Sequence, residues 1–291
     1  MHFVQAKGIL SAKNGMNLYR GCTHGCIYCD SRSECYQIKH TFEDIEIKEN
    51  AIELLEDALR RKRNKCMIGT GSMTDPYMPL EEKLGMTRKA IETVHRYGFG
   101  FTVITKSPLI LRDLELLQAI NSKAKCVVQM TLTTYNDSLC KILEPNVAVT
   151  SERFAVLKKL RDAGIPTVVW LTPILPFIND TIENIEGILQ YCIEAKVFGI
   201  ICFGMGLTLR DGNREYFYKN LDAAFPGLKE KYIQRYGTRY SVISPHNTRL
   251  MHIFRMRCKE NGIETTPDVI FAYLSAFDKI PGKTNAQLEL F

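Results

Sequence analysis

Strand-length apolar runs alternate with amphipathic, helix-length stretches from residue 17 to residue 203, and this alternation limits the possible folds of the chain more than any other feature. Asn17 to Arg20 reads as a first strand. Ala51, Leu54, Leu55, Ala58 and Leu59 recur at helical spacing and predict a first helix from Ile47 to Arg63. Cys66–Gly71 then reads as strand two, Thr87–Tyr97 as helix two, Phe101–Thr105 as strand three and Leu109–Ile120 as helix three. Lys125–Leu132 is the fourth strand, followed by a helical stretch to Asp162 broken around Pro145. Pro166–Leu171, Thr181–Ala195 and Gly199–Phe203 complete the series as strand, helix and strand. Such a chain builds a parallel α/β sheet; the pattern alone leaves a partial barrel, a closed eight-stranded barrel and an open sheet all open. In parallel barrels the working site lies at the C-terminal strand ends.

One short loop carries the chemistry. Cys22, Cys26 and Cys29 lie in Arg20-Gly-Cys-Thr-His-Gly-Cys-Ile-Tyr-Cys-Asp30, a C-x3-C-x2-C spacing with Tyr28 directly before the last thiol. Three thiolates can hold three irons of a [4Fe–4S] cluster, where a closed site uses four cysteines. The remaining iron then keeps an open position, which is what separates catalytic from structural metal sites. A zinc site is the competing reading: it usually pairs C-x2-C knuckles with a second pair of ligands, and here Cys35 and His24 would have to complete the tetrahedron.

The loop resembles that of the radical S-adenosylmethionine (radical SAM) superfamily. The resemblance implies a partial (β/α)6 TIM-like barrel, with the open iron binding SAM and a reduced cluster splitting it to a 5′-deoxyadenosyl radical. It also implies an electron donor such as a flavodoxin or ferredoxin. On this basis residues 1–209 are expected to form the barrel with its cluster loop, and residues 210–291 a basic, mostly helical extension ending in a loose tail, Pro281–Phe291.

Further segments resemble the spore photoproduct lyase-related group, often labelled DNA repair photolyase. They are Gly71-Ser-Met-Thr-Asp-Pro-Tyr77 after strand two, Val103-Ile-Thr-Lys-Ser107 after strand three and Met130-Thr-Leu-Thr-Thr134 after strand four. The resemblance implies that Thr74, Lys106 and Thr131 contact SAM, with Gly69 and Gly71 in the glycine turn beside its amino group and Tyr28 next to the cluster. Each has an ordinary reading too: Thr74 as a cap on the Asp75-Pro76 turn, Lys106 as a solvated strand end, Thr131 as β-branched strand filling. Asp75 reads equally as an N-terminal signal or as an acceptor behind the site. One position departs from the group. Spore photoproduct lyase carries a hydrogen-donating cysteine where this chain has Met73, and a thioether has no S–H to give. Reversal of a thymine lesion by the same cycle is therefore not expected.

The seven other cysteines (Cys35, Cys66, Cys126, Cys140, Cys192, Cys202 and Cys258) mostly sit in apolar stretches and read as small buried hydrophobes. Ten cysteines without a signal-peptide pattern fit a reducing cytoplasm, and no apolar run reaches membrane-spanning length. A soluble cytoplasmic protein is expected. The net charge of +6 permits an anionic partner. From Lys229 to Lys259 basic residues, including Arg235 and Arg239, are interleaved with Tyr232, Tyr236, Tyr240, His246 and His252. That mixture suits phosphates and bases, or else a solvated helical face with its aromatics packed inward. The basic run from Arg60 to Arg63 with Lys65 reads as charge at a helix C-terminus, and Trp170 reads as core. The leading function is thus a radical SAM enzyme, with nucleic acid the favoured substrate class. Radical modification of a peptide or small metabolite is the alternative, and a non-enzymatic zinc or Fe–S nucleic-acid-binding module the third reading.

Overall fold

The structure is a computed structural model and describes residues 1–277; the tail expected at Pro281–Phe291 lies outside the described residues. Six strands form one parallel sheet in chain order: β1 (Gly15–Met16), β2 (Met67–Thr70), β3 (Gly100–Thr105), β4 (Cys126–Thr131), β5 (Thr167–Trp170) and β6 (Gly199–Ile201). Besides the single turn Glu81–Leu84, the α-helices between them are α1 (Ala51–Arg61), α2 (Met86–Arg96), α3 (Leu114–Lys123), α4 (Asp137–Leu143), α5 (Thr150–Asp162) and α6 (Ile182–Glu194). This is the partial (β/α)6 barrel.

All six residues of β4 are buried, as a central parallel strand covered on both faces requires. Val128, Val169 and Ile200 join the helix-side core with Ile185, Ile188 and Leu189 of α6. The alternate residues Val127, Val168 and Ile201 meet Ile270 and Leu274, which belong to a later helix, Pro267–Ser275. That helix fills space an eight-stranded barrel would give to two more strands. The polar exception in β4, Gln129, donates to Thr102 Oγ1 (2.8 Å) and accepts from Trp170 Nε1 (2.8 Å), tying three strands together.

The first expected strand is displaced. The barrel strand is Gly15–Met16, while Tyr19–Arg20 pairs antiparallel with Glu46–Lys48, which in turn pairs parallel with His2–Val4. Ile47 therefore belongs to a strand, so α1 starts only at Ala51, and the Asn50 side chain before it bonds Ala6 N and O (both 2.9 Å) instead of capping. The third helix is split, Pro108–Asp113 being a 3-10 segment, since the buried Asp113 carboxylate is taken by Arg88, Arg112 and Tyr77. Beyond β6, the strand Gly206–Thr208 pairs antiparallel with Ser241–Ile243, a strand the helical reading of the extension does not contain. Helices Asn213–Ala224 and Leu228–Tyr236 bring Phe217, Leu221, Tyr232 and Tyr236 into one apolar cluster with Cys26, Ile27 and Tyr28. The extension thus packs directly behind the cysteine loop. No helix among the described residues is long and apolar enough to cross a membrane.

Candidate active site

The cysteine loop is shaped by backbone contacts at both ends. Cys22 N–H donates to the Phe42 carbonyl (3.0 Å), and Gly21 lies so close that a Cβ there would sit 2.4 Å from the same oxygen, at φ +89°. Farther along, Ile27 N–H donates to Leu143 O (3.0 Å), Asn146 N–H to His24 O (3.2 Å) and Asn146 Nδ2 to Thr23 O (2.9 Å). The loop is therefore strapped onto the corner that follows α4. Its three thiols are free and line a single cavity of about 500 Å³ at the C-terminal ends of the strands. Burial pushes the Cys22 thiol up to about 11 and the Cys26 thiol higher still. Coordination reverses that, since a metal-bound thiol is deprotonated outright.

The segments after β2, β3 and β4 bring Gly71, Thr74, Lys106 and Thr131 to the same cavity, and Tyr28 lines it from the loop. Gly69 is not among the lining residues; it sits inside β2, paired with Gly15 and Thr102. Asp75, rather than Thr74, supplies the side-chain bonds of its turn. Its carboxylate accepts from Tyr77 N (2.9 Å), Thr105 Oγ1 (2.7 Å) and Lys106 N (2.7 Å), which locks the end of β2 to the end of β3. His24 Nδ1 is 3.5 Å from Asp75 Oδ2, yet burial holds the imidazole below its ordinary value. For Lys106 burial acts downward, but Cys26, Glu144 and Asp75 outweigh it, and the ammonium stays charged beside the thiols.

At Gly71 a Cβ would fall 2.1 Å from the Ile104 carbonyl oxygen, and the backbone stands at φ +97°. Gly71→Ala is expected to force β2 and β3 apart at their cavity ends and cost about 1–3 kcal/mol or more. Urea unfolding would show this as a lower midpoint at unchanged slope; an unaltered midpoint would mean the strand ends yield freely.

Behind the loop, Tyr28 Oη donates to Glu144, whose other oxygen accepts from Arg153. Arg153 also donates to Ala148 O (2.8 Å) and Thr131 O (3.0 Å). Glu144 and Arg153 are fully buried. Burial alone would raise the Glu144 pKa, but the Arg153 and Lys106 charges hold it below the usual carboxylate value. Neither residue was singled out from sequence, where an acid and a base nine positions apart across a broken helix give no signal.

The cavity mouth has two contrasting edges. On one, Trp170 stands within 6.1–6.3 Å of Phe203 and Phe271, ring centroid to centroid, and Phe203 is 63% exposed. Trp170 is thus half-buried and lines the cavity, because β5 ends there and turns its last side chain inward. On the other edge, Ser241 and Ile243 line both the cavity and an adjoining groove with exposed Arg235 and Arg239. Tyr232 and Tyr236, by contrast, are core residues, their hydroxyls donating to Pro176 O (2.7 Å) and Ile243 O (2.8 Å). Arg60 and Arg61 face Glu56 and Asp57 of their own helix. Met73 lines the cavity; Cys35 is exposed, lies outside it and accepts from Arg210 Nη1 (3.1 Å).

The donor geometry suits a cluster better than one ion. Sulfurs on a single tetrahedral zinc lie about 3.8 Å apart, given Zn–S near 2.3 Å. Among the described residues the three cysteines form no group whose ligand atoms fall within 4.8 Å of one another. A cubane, with each thiolate on a different iron, accepts the wider spacing.

The model of the radical SAM superfamily matches residues 16–192. An uncharacterized protein of Mycobacterium tuberculosis is 28% identical over 234 residues, 76% of this chain and 66% of its own length. The chain thus spans just under two thirds of that relative. An uncharacterized protein of Methanocaldococcus jannaschii is 31% identical over 227 residues, 77% of this chain and 82% of that one. Among solved structures, a spore photoproduct lyase mutant with bound AdoMet and dinucleoside spore photoproduct shares the fold at a TM-score of 0.59 and 14% identity. The match covers 85% of this chain and 73% of that chain.

Proposed function

The chain belongs to the radical SAM superfamily, whose enzymes use a [4Fe–4S] cluster and S-adenosylmethionine, and we propose that it directs this chemistry at a nucleic-acid substrate. When bound, the two cofactors supply a reductive cleavage that yields a 5′-deoxyadenosyl radical, with the electron coming from a donor such as a flavodoxin or ferredoxin. The observation that carries the reading is the convergence of Cys22, Cys26, Cys29 and a charged Lys106 on one cavity.

Within it, the three thiolates hold three irons. Lys106 offers a compact cation to the SAM carboxylate, and Thr74 and Thr131 offer hydroxyls to its polar groups. Tyr28, Ile104 and Leu207 give the cavity apolar walls that keep water from a reactive carbon radical. Residues 1–209 act as the cofactor-binding barrel, while the extension that begins at residue 210 adds a wall through Ser241 and Ile243.

The substrate class rests on the mouth. Exposed aromatic rings on one edge suit stacking of bases, and Arg235 and Arg239 on the other suit phosphates. The solved relative that shares the fold was captured with a dinucleoside photoproduct. Met73 sets a limit: with no S–H at that place, lesion reversal of the spore photoproduct kind is not part of the proposal.

Three measurements test it. The anaerobically reconstituted protein, reduced with dithionite, should release 5′-deoxyadenosine from SAM slowly even without substrate. Lys106→Ala should weaken SAM binding by about 1–3 kcal/mol, the scale of a lost bond to a charged group; unchanged affinity would remove Lys106 from the site. For the substrate, affinity for DNA or RNA should fall steeply with salt, and replacing Arg235 and Arg239 together should flatten the log–log slope by about two. Salt-insensitive or absent binding would instead favour a peptide or small-metabolite substrate.

A further inference from the structure

We propose that His2, His40 and Glu46 form a second metal site, for a divalent ion of the zinc class, outside the cysteine cavity. The three come from different places: His2 opens the first strand, Glu46 is its Cα partner on the parallel neighbour, and His40 stands in the loop before that neighbour. One ring nitrogen of each histidine and one Glu46 oxygen lie within 4.8 Å of one another. The imidazoles meet edge to face with centroids 4.9 Å apart.

What distinguishes this from a chance surface cluster is the state of the rings. His2 Nδ1 is 2.9 Å from Asp44 Oδ2, and His40 Nδ1 is 2.9 Å from the Thr41 carbonyl oxygen. A carbonyl or a carboxylate only accepts, so each Nδ1 is engaged as a donor and each Nε2 is the nitrogen left to face a ligand. This is the outer arrangement that metal-binding histidines ordinarily show, a carboxylate or carbonyl behind each ring. His40 Nε2 is also shielded from solvent and has no hydrogen-bond partner. It points toward Glu46 Oε2 at 3.9 Å, too far for a hydrogen bond.

Two imidazoles and a carboxylate with one position left for water is a standard zinc donor set. Of the nearby cations, Arg20 donates to the Tyr36 and Gln37 carbonyls (the latter at 3.2 Å), the Met1 ammonium pairs with Asp44 Oδ1 at 2.6 Å, and Lys48 faces the Glu46 charge from the same strand. The site would brace the active site from behind. His40 and Glu46 bracket the segment whose Phe42 carbonyl receives the Cys22 amide, so an ion joining them and His2 would fasten that segment to the first strand.

The test uses the full chain with its cluster already loaded, so that the three thiols are occupied. Zn²⁺ is titrated anaerobically against a chromophoric chelator, and iron and zinc are counted per chain. One zinc should bind without loss of iron. His40→Ala and Glu46→Gln should each lower zinc affinity by about 100-fold or more, and Asp44→Asn by about 10–100-fold, as for lost partners behind metal-bound histidines. Retained iron in each variant reports an intact fold, and His2→Gln gives an independent arm. A wild-type protein that takes up no saturating zinc, or zinc affinity unchanged in both His40→Ala and Glu46→Gln, would overturn the site.

Discussion

Alanine at any one of Cys22, Cys26 or Cys29 is expected to leave the reconstituted protein without a stable cluster, whereas Cys66→Ala or Cys192→Ala keeps about four irons per chain. The contrast follows from placement. The first three thiols face one cavity, while Cys66 precedes β2 and Cys192 is buried in the helix-side core. Two ligands on a cubane leave two irons open to solvent and exchange, so removing one thiolate loses the whole cluster rather than a third of it. Iron and acid-labile sulfide analysis after anaerobic desalting reads this directly. A wild-type protein that takes up no iron on anaerobic reconstitution and holds zinc on Cys22, Cys26 and Cys29 instead would sink the cluster reading, as would full iron retention in a Cys26→Ala protein.

The second large effect is on stability. Arg153→Ala removes the hydrogen-bonded counter-charge of the buried Glu144 carboxylate and leaves it only the Lys106 charge, and loss of one partner of a fully buried pair costs about 3–5 kcal/mol. Exposed pairs in the same chain, such as Arg60 with Asp57, are screened by water and contribute little, so an Arg60→Ala control should barely move the urea midpoint. The sign of the pH effect follows from the Glu144 pKa being lowered on folding. Its contribution is complete above the ordinary carboxylate pKa and is lost as pH falls through the lower folded value. The double variant Glu144→Gln/Arg153→Met, with no charge left to strand, should recover part of the loss. If Arg153→Ala alone unfolds at the wild-type midpoint, Tyr28 is not held in place by this pair.

The barrel was legible because central parallel strands are buried on both faces and so read as mostly apolar runs, as Cys126–Thr131 does despite Gln129. Thr74, Lys106 and Thr131 were legible only through the resemblance of their segments to the spore photoproduct lyase-related group; all three lie at or just past the ends of adjacent parallel strands and line one cavity. Short elements were not legible. Tyr19–Arg20 and Ser241–Ile243 are two and three residues long, and their pairing is decided by partners elsewhere in the chain. The helix expected from Ile47 begins at Ala51, because Glu46–Lys48 is claimed by a strand whose partner, His2–Val4, lies more than 40 positions away. Phe203 was assigned to a strand but leaves the sheet after Ile201 and stands exposed at the mouth. Tyr28 and Glu144 are separated by 116 positions, so no local pattern announces their bond.

That separation also bears on when the protein can acquire its iron. The straps on the cysteine loop come from Phe42, Leu143 and Asn146, and the bracing arginine from position 153. At roughly 5–20 residues per second on the ribosome, about 120 further residues must be made after Cys29 before the loop can take its final shape. Iron delivered to the nascent N-terminus would meet three thiols on an unshaped peptide. Cluster insertion thus belongs to a late stage of the protein's biogenesis, after the fourth strand and its two following helices have left the exit tunnel.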